Sequence, residues 1–170
     1  MTFTPNRVVI ESTAGETIAE RDNPKASFAG HKYDTPWDPL HLAFFEGYAH
    51  WTGLASPWIF SEPDFETWET EPMSEDGETW RSLRVRFPDR FVSYHKKQTF
   101  RIGPDGLIRR HDYEVEVWAA SRAADYLFDY VEVQGLKFAT RRRVYMRRQD
   151  NTPQKDFMTV SADLSDWKLS

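Results

Sequence analysis

The sequence predicts a mainly β protein of the α+β class, in which a curved antiparallel sheet packs round one long helix. Apolar residues follow a helical period in only one segment, residues 38–54. After Pro57 the apolar period changes to two, and strand-length runs alternate with turn residues such as those at 103–106. Short turns between consecutive strands favour antiparallel pairing. We expect a single domain over residues 1–170.

The N-terminal residues indicate a β-hairpin that precedes the helix. Two alternating runs, Arg7–Glu11 and residues 16–21, are joined across Gly15 and have the length of short strands. A loop follows at residues 22–35.

The predicted helix begins with clear start signals. Asp38 can cap its first turn, Pro39 suits the first helical position, and Trp37 can act as a hydrophobic staple. Aromatic and aliphatic residues cover most of the helix, and a narrow polar stripe contains Glu46 and His50. We therefore expect a largely buried helix.

The predicted sheet supplies an apolar, aromatic face for this helix. Strands are expected at residues 65–71, 78–87, 91–102, 107–118, 124–133, 136–147 and 157–164. We expect Tyr126 and Phe128 to lie on that face, and the helix to insert Phe44, Tyr48 and Trp51 into it. A half-barrel, or a lipocalin-like barrel plugged by the helix, would enclose a ligand cavity.

Composition excludes several classes of protein. The chain has no Cys, so it has no disulfide, thiolate zinc site, iron–sulfur cluster or Cys nucleophile. Acidic residues outnumber basic ones by 27 to 22, and the net charge of −5 gives no general attraction to nucleic acid or anionic membranes. The N-terminus lacks the features of a signal peptide, and Glu46 interrupts the helix, so we expect a cytoplasmic protein with no membrane insertion. No cofactor motif is present, and we expect no cofactor.

Six short strings carry a resemblance to a known family: NPKASFAGH at 23–31, TPWD at 35–38, LHLAFF at 40–45, GYA at 47–49, GLIRRHDY at 106–113 and TRRRVY at 140–145. They resemble an uncharacterised family of bacterial single-domain proteins, and the match extends from about Arg7 to Val160. Members of that family are similar to the LolA/LppX-type half-barrel, whose better-known proteins hold lipid acyl chains in a cavity covered by helices. The resemblance implies a half-barrel fold.

Longer members of that family carry an additional helical and β segment before the point where this chain starts. A member without that segment would have an uncovered sheet edge, which we would expect a homo-oligomer or a partner chain to cover.

Four residues near the start of the helix form a weak candidate metal site. His31, Asp34, Asp38 and His41 combine imidazole and carboxylate groups, which can hold zinc, manganese or iron. Their spacing matches no standard motif. Capping by Asp38, a turn at Asp34 and a core hydrogen bond from His41 explain the same residues.

A histidine and a tyrosine on one predicted strand are candidate catalytic residues. His111 and Tyr113 share a face with Val115 and should point inward, where an imidazole beside a phenol could act in acid–base catalysis. A His–Tyr pair satisfied within the core is the alternative. His41 is a second candidate base.

Three consecutive arginines should alternate between the two faces of a strand. Arg142 should point inward, either as one half of a buried ion pair or as an anchor for a carboxylate or phosphate. Arg141 and Arg143 should point outward and pair with acidic residues that include Asp125 and Asp129.

Three functions are compatible with these features. The first is binding of a hydrophobic or amphipathic small molecule by Arg142 and the aromatic residues Phe44, Tyr48, Trp51, Tyr126 and Phe128. The second is a cofactor-free enzyme (isomerase, cyclase, lyase or hydrolase) that uses His111 or His41 as base and Tyr113 or Arg142 to stabilise charge. The third is an oligomeric interaction protein.

Overall fold

The structure, a computed structural model, describes residues 1–167 and Leu169 and is mainly β. A three-stranded antiparallel sheet contains β1 (Thr2–Thr4), β2 (Arg7–Glu11) and β3 (Thr17–Asp22). A seven-stranded antiparallel sheet contains β4 (Glu66–Glu75), β5 (Glu78–Arg86), β6 (Lys97–Ile102), β7 (Ile108–Val115), β8 (Ser121–Val133), β9 (Leu136–Arg147) and β10 (Pro153–Asp163). The strand order in this sheet is β10-β9-β8-β7-β6-β5-β4.

These elements confirm the predicted antiparallel, mainly β fold and show that the large sheet is open. Its two edge strands, β4 and β10, do not pair with each other. The closed-barrel alternative is therefore wrong. Two short 3-10 helices, Pro24–Phe28 and Trp58–Ser61, flank the single α-helix of the described residues.

That helix, α1, spans Pro39–Ala55 and begins with the predicted cap. The side chain of Asp38 accepts a hydrogen bond from the backbone N–H of His41, and His41 Nδ1 accepts one from the Asp38 N–H. Arg21 also donates to both carboxylate oxygens of Asp38, and this hydrogen bonding lowers the pKa of Asp38 to about 2. No described helix is long and apolar enough to cross a membrane.

Helix α1 lies between the two sheets. On one side Phe44 packs against Phe3 of β1, with ring centroids 5.8 Å apart. A Cβ on Gly47 would overlap the Phe3 ring, so glycine is what allows β1 to approach the helix. On the other side Tyr48 packs against Tyr94, which lies between β5 and β6, with ring centroids 5.3 Å apart.

The buried stripe of α1 differs from the predicted one at Trp51. Phe44 and Tyr48 are buried as expected, but Trp51 is 51% exposed and stacks on Phe91. The buried positions advance in steps of four residues through Tyr48, Thr52 and Ser56, and each such step turns the stripe by about 40°. Trp51 therefore lies off the stripe and does not enter the sheet.

The large sheet has two different faces. The helix face carries His111 of β7 and Asp125 of β8, which are paired residues, and the outer face carries the neighbouring pair Arg110 and Tyr126. Tyr126 and Phe128 therefore point away from the helix, and the prediction that they face it is wrong. Tyr126 is buried instead in a cluster with Trp80, Ala124, Met73 and Tyr145.

A buried arginine organises the outer face. Arg110 is 0% exposed and donates to Asp112 (2.7 Å), to Glu75 at the end of β4 (2.9 Å) and to the carbonyl of Asn151 in the β9–β10 turn (2.7 Å). Lys155 of β10 lies 3.4 Å from the same Glu75 carboxylate. The two edge strands therefore meet at one corner of the outer face through charged side chains.

Candidate functional site

A cleft runs along one flank of α1, between the helix and the strands β7 to β10. It consists of three cavities in line. One of about 350 Å³ lies beside Leu42 and Phe45, a crevice of about 40 Å³ lies beside Glu46 and His50, and one of about 280 Å³ lies beyond Gly53. The first cavity and the crevice share Glu46, Tyr113 and three apolar lining residues, and the crevice and the last cavity share Arg142, so the three are neighbours along the helix.

The two ends of the cleft are mainly apolar. The lining of the 350 Å³ cavity contains Trp37, Leu42, Phe45, Val115, Trp118, Ala123, Val144, Met146 and Val160. The lining of the 280 Å³ cavity contains Leu54, Pro57, Trp58, Leu127, Leu136, Phe138 and Trp167. These surfaces favour an apolar occupant.

The middle of the cleft is polar. Asp125 is 0% exposed, and Arg142 donates to its Oδ2 atom through Nε (3.0 Å) and through Nη2. The Oδ1 atom of Asp125 is buried and has no hydrogen-bond partner among the described residues. A Cβ on Gly53 would overlap Arg142 Nη1, so this glycine gives the guanidinium its place beneath the helix.

Burial and the ion pair act in opposite directions on the pKa values of these two groups. Burial raises the pKa of Asp125, and the adjacent guanidinium of Arg142 opposes that rise. Burial acts to lower the pKa of Arg142, but the charge of Asp125 outweighs it and the pKa is raised. The alternative in which Arg142 belongs to a buried ion pair is thus observed. Asp125 was expected to pair on the outer face, and that expectation is wrong.

The outward arginines find other partners. Arg141 lies 3.1 Å from Asp129, as predicted, and Arg143 lies 2.8 Å from Asp163.

Two stacked tyrosines form one wall of the crevice. The rings of Tyr94 and Tyr113 lie 3.7 Å apart at 15°. Burial raises the pKa of Tyr94 to about 12 and that of Tyr113 well above its usual value. Both are therefore neutral phenols at physiological pH. Tyr113 lines the crevice together with Asp125 and Arg142.

The polar stripe of α1 forms the opposite wall. Glu46 and His50 line the crevice, and His50 Nδ1 lies 3.4 Å from Glu46 Oε2 and 2.8 Å from the Glu46 carbonyl oxygen. Both side chains are half-buried or nearly so. The stripe predicted from the sequence thus lies along the cleft.

His111 points to the helix face as predicted but lines no cavity of the cleft. Its ring is stacked on Phe100 (4.1 Å) and lies 4.7 Å from Tyr113. Its Nε2 lies 2.6 Å from Gln98 Oε1, and burial lowers the pKa of His111 well below its usual value. All three residues expected to point inward do so, but only Tyr113 and Arg142 line the crevice.

The residues near the start of α1 form no metal site. His41 is used in the helix cap, Asp38 is held by Arg21, and Asp34 is exposed. The ring of His31 lies 4.8 Å from the ring of His41 and is tilted by 54° to it. The described residues contain no group of three or more His, Asp or Glu side chains that could hold a metal ion. His41 also lies away from the cleft lining.

Phe44 and Tyr48, predicted as ligand-binding residues, are core residues that do not line the cleft. The cleft uses the adjacent flank of the helix, with Leu42 and Phe45. The sequence contains a signal for this flank, because Leu42, Glu46 and His50 are spaced by four residues and share a helix face.

A larger depression of about 810 Å³ lies on the outer face. Its three basic lining residues are all in ion pairs: Arg101 lies 3.2 Å from Asp112, and both Arg110 and Lys155 contact Glu75. The cleft along α1, with its unpaired carboxylate oxygen, is the stronger candidate.

Comparisons with protein-family models, curated proteins and solved structures find no match for this chain.

Proposed function

We propose that this protein binds an elongated hydrophobic or amphipathic small molecule in the cleft along α1. One observation carries the proposal: an apolar cavity of about 350 Å³ opens into a crevice whose floor is a buried polar pair. Ligand sites are concave and mostly apolar, with a few fixed polar groups. We also propose that the fold is a half-barrel of the LolA type. An open antiparallel sheet with a helix on one face is compatible with such a fold.

Binding is favoured over catalysis because the expected bases do not reach the cleft. His111 is stacked on Phe100 in the core, and His41 belongs to the helix cap. Binding is also favoured over the oligomeric interaction protein, because that function does not require such a cavity.

The test introduces a charge into the apolar wall. Val160 of β10 lines the cleft opposite its paired residue Val144. Val160→Asp should weaken the binding of a neutral apolar dye, Nile red, at least tenfold, because a carboxylate on the wall must be desolvated. The measurement is a fluorescence titration, with circular dichroism to confirm that the variant is folded.

Val131→Asp is the matched control, since Val131 lies in the same sheet, is partly exposed and lines no cavity of the cleft. It should leave the dissociation constant within about twofold. Equal weakening by the two variants, or no saturable binding to the wild type, would overturn the proposal.

A further inference from the structure

The polar middle of the cleft has unused hydrogen-bonding capacity of both signs. Both observed bonds of the Asp125–Arg142 pair end on Oδ2, so Oδ1 accepts no hydrogen bond from the part of the chain that the structure describes. A buried carboxylate oxygen without a donor is costly, and in native proteins such an atom usually has a hydrogen-bond partner, so its absence here requires an explanation. Arg142 in turn has five N–H groups, and among the described residues only Nε and Nη2 donate.

The charges that face the crevice do not favour an anion. Arg142 is neutralised by Asp125, and Glu46 adds a second carboxylate from the helix side. His50 contacts Glu46, and the tyrosine on the wall is a neutral phenol. An acidic head group would therefore face two carboxylates, with a single guanidinium that is already paired.

The size of the crevice limits what can enter. The volume of about 40 Å³ is above the roughly 10–15 Å³ that a cavity needs to hold one water molecule, so the crevice has room for a small polar group. The cavities at both ends are apolar and much larger. A ligand thus places its polar group in the middle and its apolar part in the 350 Å³ cavity.

We infer that the crevice selects an uncharged head group that both donates and accepts hydrogen bonds, such as a primary amide or a hydroxyl, in preference to a carboxylate. The donor satisfies Asp125 Oδ1, and the acceptor takes a free N–H of Arg142. This inference rests on the proposed binding function and specifies its ligand class.

The experiment compares octanamide with octanoate, which share an alkyl chain and differ in the head group. Each displaces Nile red from the wild-type protein at pH 7.5, where octanoate is ionised. Octanamide should bind at least tenfold more tightly. Asp125→Asn leaves Arg142 without its counter-charge and should reduce that ratio at least tenfold.

Asp129→Asn is the matched control, because Asp129 forms the corresponding exposed pair with Arg141 on the outer face. It should keep the wild-type ratio. If Nile red binds but octanoate competes as well as octanamide, the head-group inference fails and the binding proposal stands. If Nile red does not bind, both fail. The wild-type ratio decides the matter even if Asp125→Asn does not fold.

Discussion

The side-chain amide of Gln98 determines which ring nitrogen of His111 carries the proton. Gln98 Nε2 donates to Ser93 Oγ (2.7 Å) and to the His95 carbonyl (2.8 Å), which leaves Gln98 Oε1 facing His111. An amide oxygen only accepts, so His111 carries its proton on Nε2. The alternation of residues along β7 predicts that this imidazole points inward. Its amide partner comes from the adjacent strand β6, so the spacing of residues within β7 does not predict it.

This arrangement predicts a dependence of stability on pH. The pKa of His111 in the folded state is well below the unfolded value of about 6.5. Below about pH 6.5 the unfolded state therefore binds a proton that the folded state does not, and the free energy of unfolding falls as pH decreases. NMR should show a neutral His111 imidazole at pH 5.5, and the urea midpoint should fall from pH 7.5 to 5.5.

His111→Gln should make the urea midpoint less sensitive to pH over that range. His95→Gln removes an imidazole outside the stack and serves as the control. A His111 resonance that titrates near 6.5 would contradict the prediction.

Asp125 shows why part of the site could not be predicted. On β8 either Tyr126 or Asp125 must face the helix, and aromatic content favoured Tyr126. The structure buries the aspartate because Arg142 of β9 reaches it, and buries the tyrosine on the outer face under Trp80 of β5. Neither partner lies on β8 itself, since Arg142 comes from the next strand and Trp80 from β5, so the residue pattern of β8 alone does not contain them.

At the scale of elements, α1 was the part best predicted from sequence. The expected range of 38–54 agrees within one residue with the observed Pro39–Ala55, because the cap, the proline and the helical period are all local signals. Strand positions followed the period of two, with shifted ends. The predicted strand at 91–102 begins only at Lys97, since the preceding residues form a loop that closes with Phe87 N–H donating to the Lys96 carbonyl. Strand β1 was missed.

Removing the central aromatic of α1 should cost much of the stability. Phe44 is 0% exposed and contacts Phe3, Phe28 and Tyr48. Phe44→Ala should reduce the free energy of unfolding by about 3–5 kcal/mol, because it leaves a cavity between the two sheets. Urea denaturation measures the change. Leu42→Ala, at an exposed position of the same helix, should cost far less, and equal losses would show that α1 does not hold the sheets together.

For the whole molecule, the open sheet raises the question of what holds its two edges. The hydrogen-bonded ladder runs without interruption from β10 to β4, and nothing in it joins β4 to β10. The side chain of Arg110 makes that connection. It donates to Asp112 of its own strand, to Glu75 on the edge strand β4 and to the carbonyl of Asn151 in the turn before the other edge strand, β10. The sequence did not single out Arg110 among the other charged residues, because its partners lie up to 41 positions away in the chain.

Arg110→Met should therefore destabilise the fold and loosen that corner in particular. Removing one member of a buried charged network leaves its carboxylates uncompensated and costs about 3–5 kcal/mol. Arg141→Met removes an exposed partner of Asp129 and should cost about 0–1 kcal/mol. Under native conditions, hydrogen–deuterium exchange should increase in Arg110→Met at residues 73–80 and 148–155, with β6 and β7 less affected. Uniform exchange across the sheet would mean that Arg110 supports the fold as a whole without joining its edges.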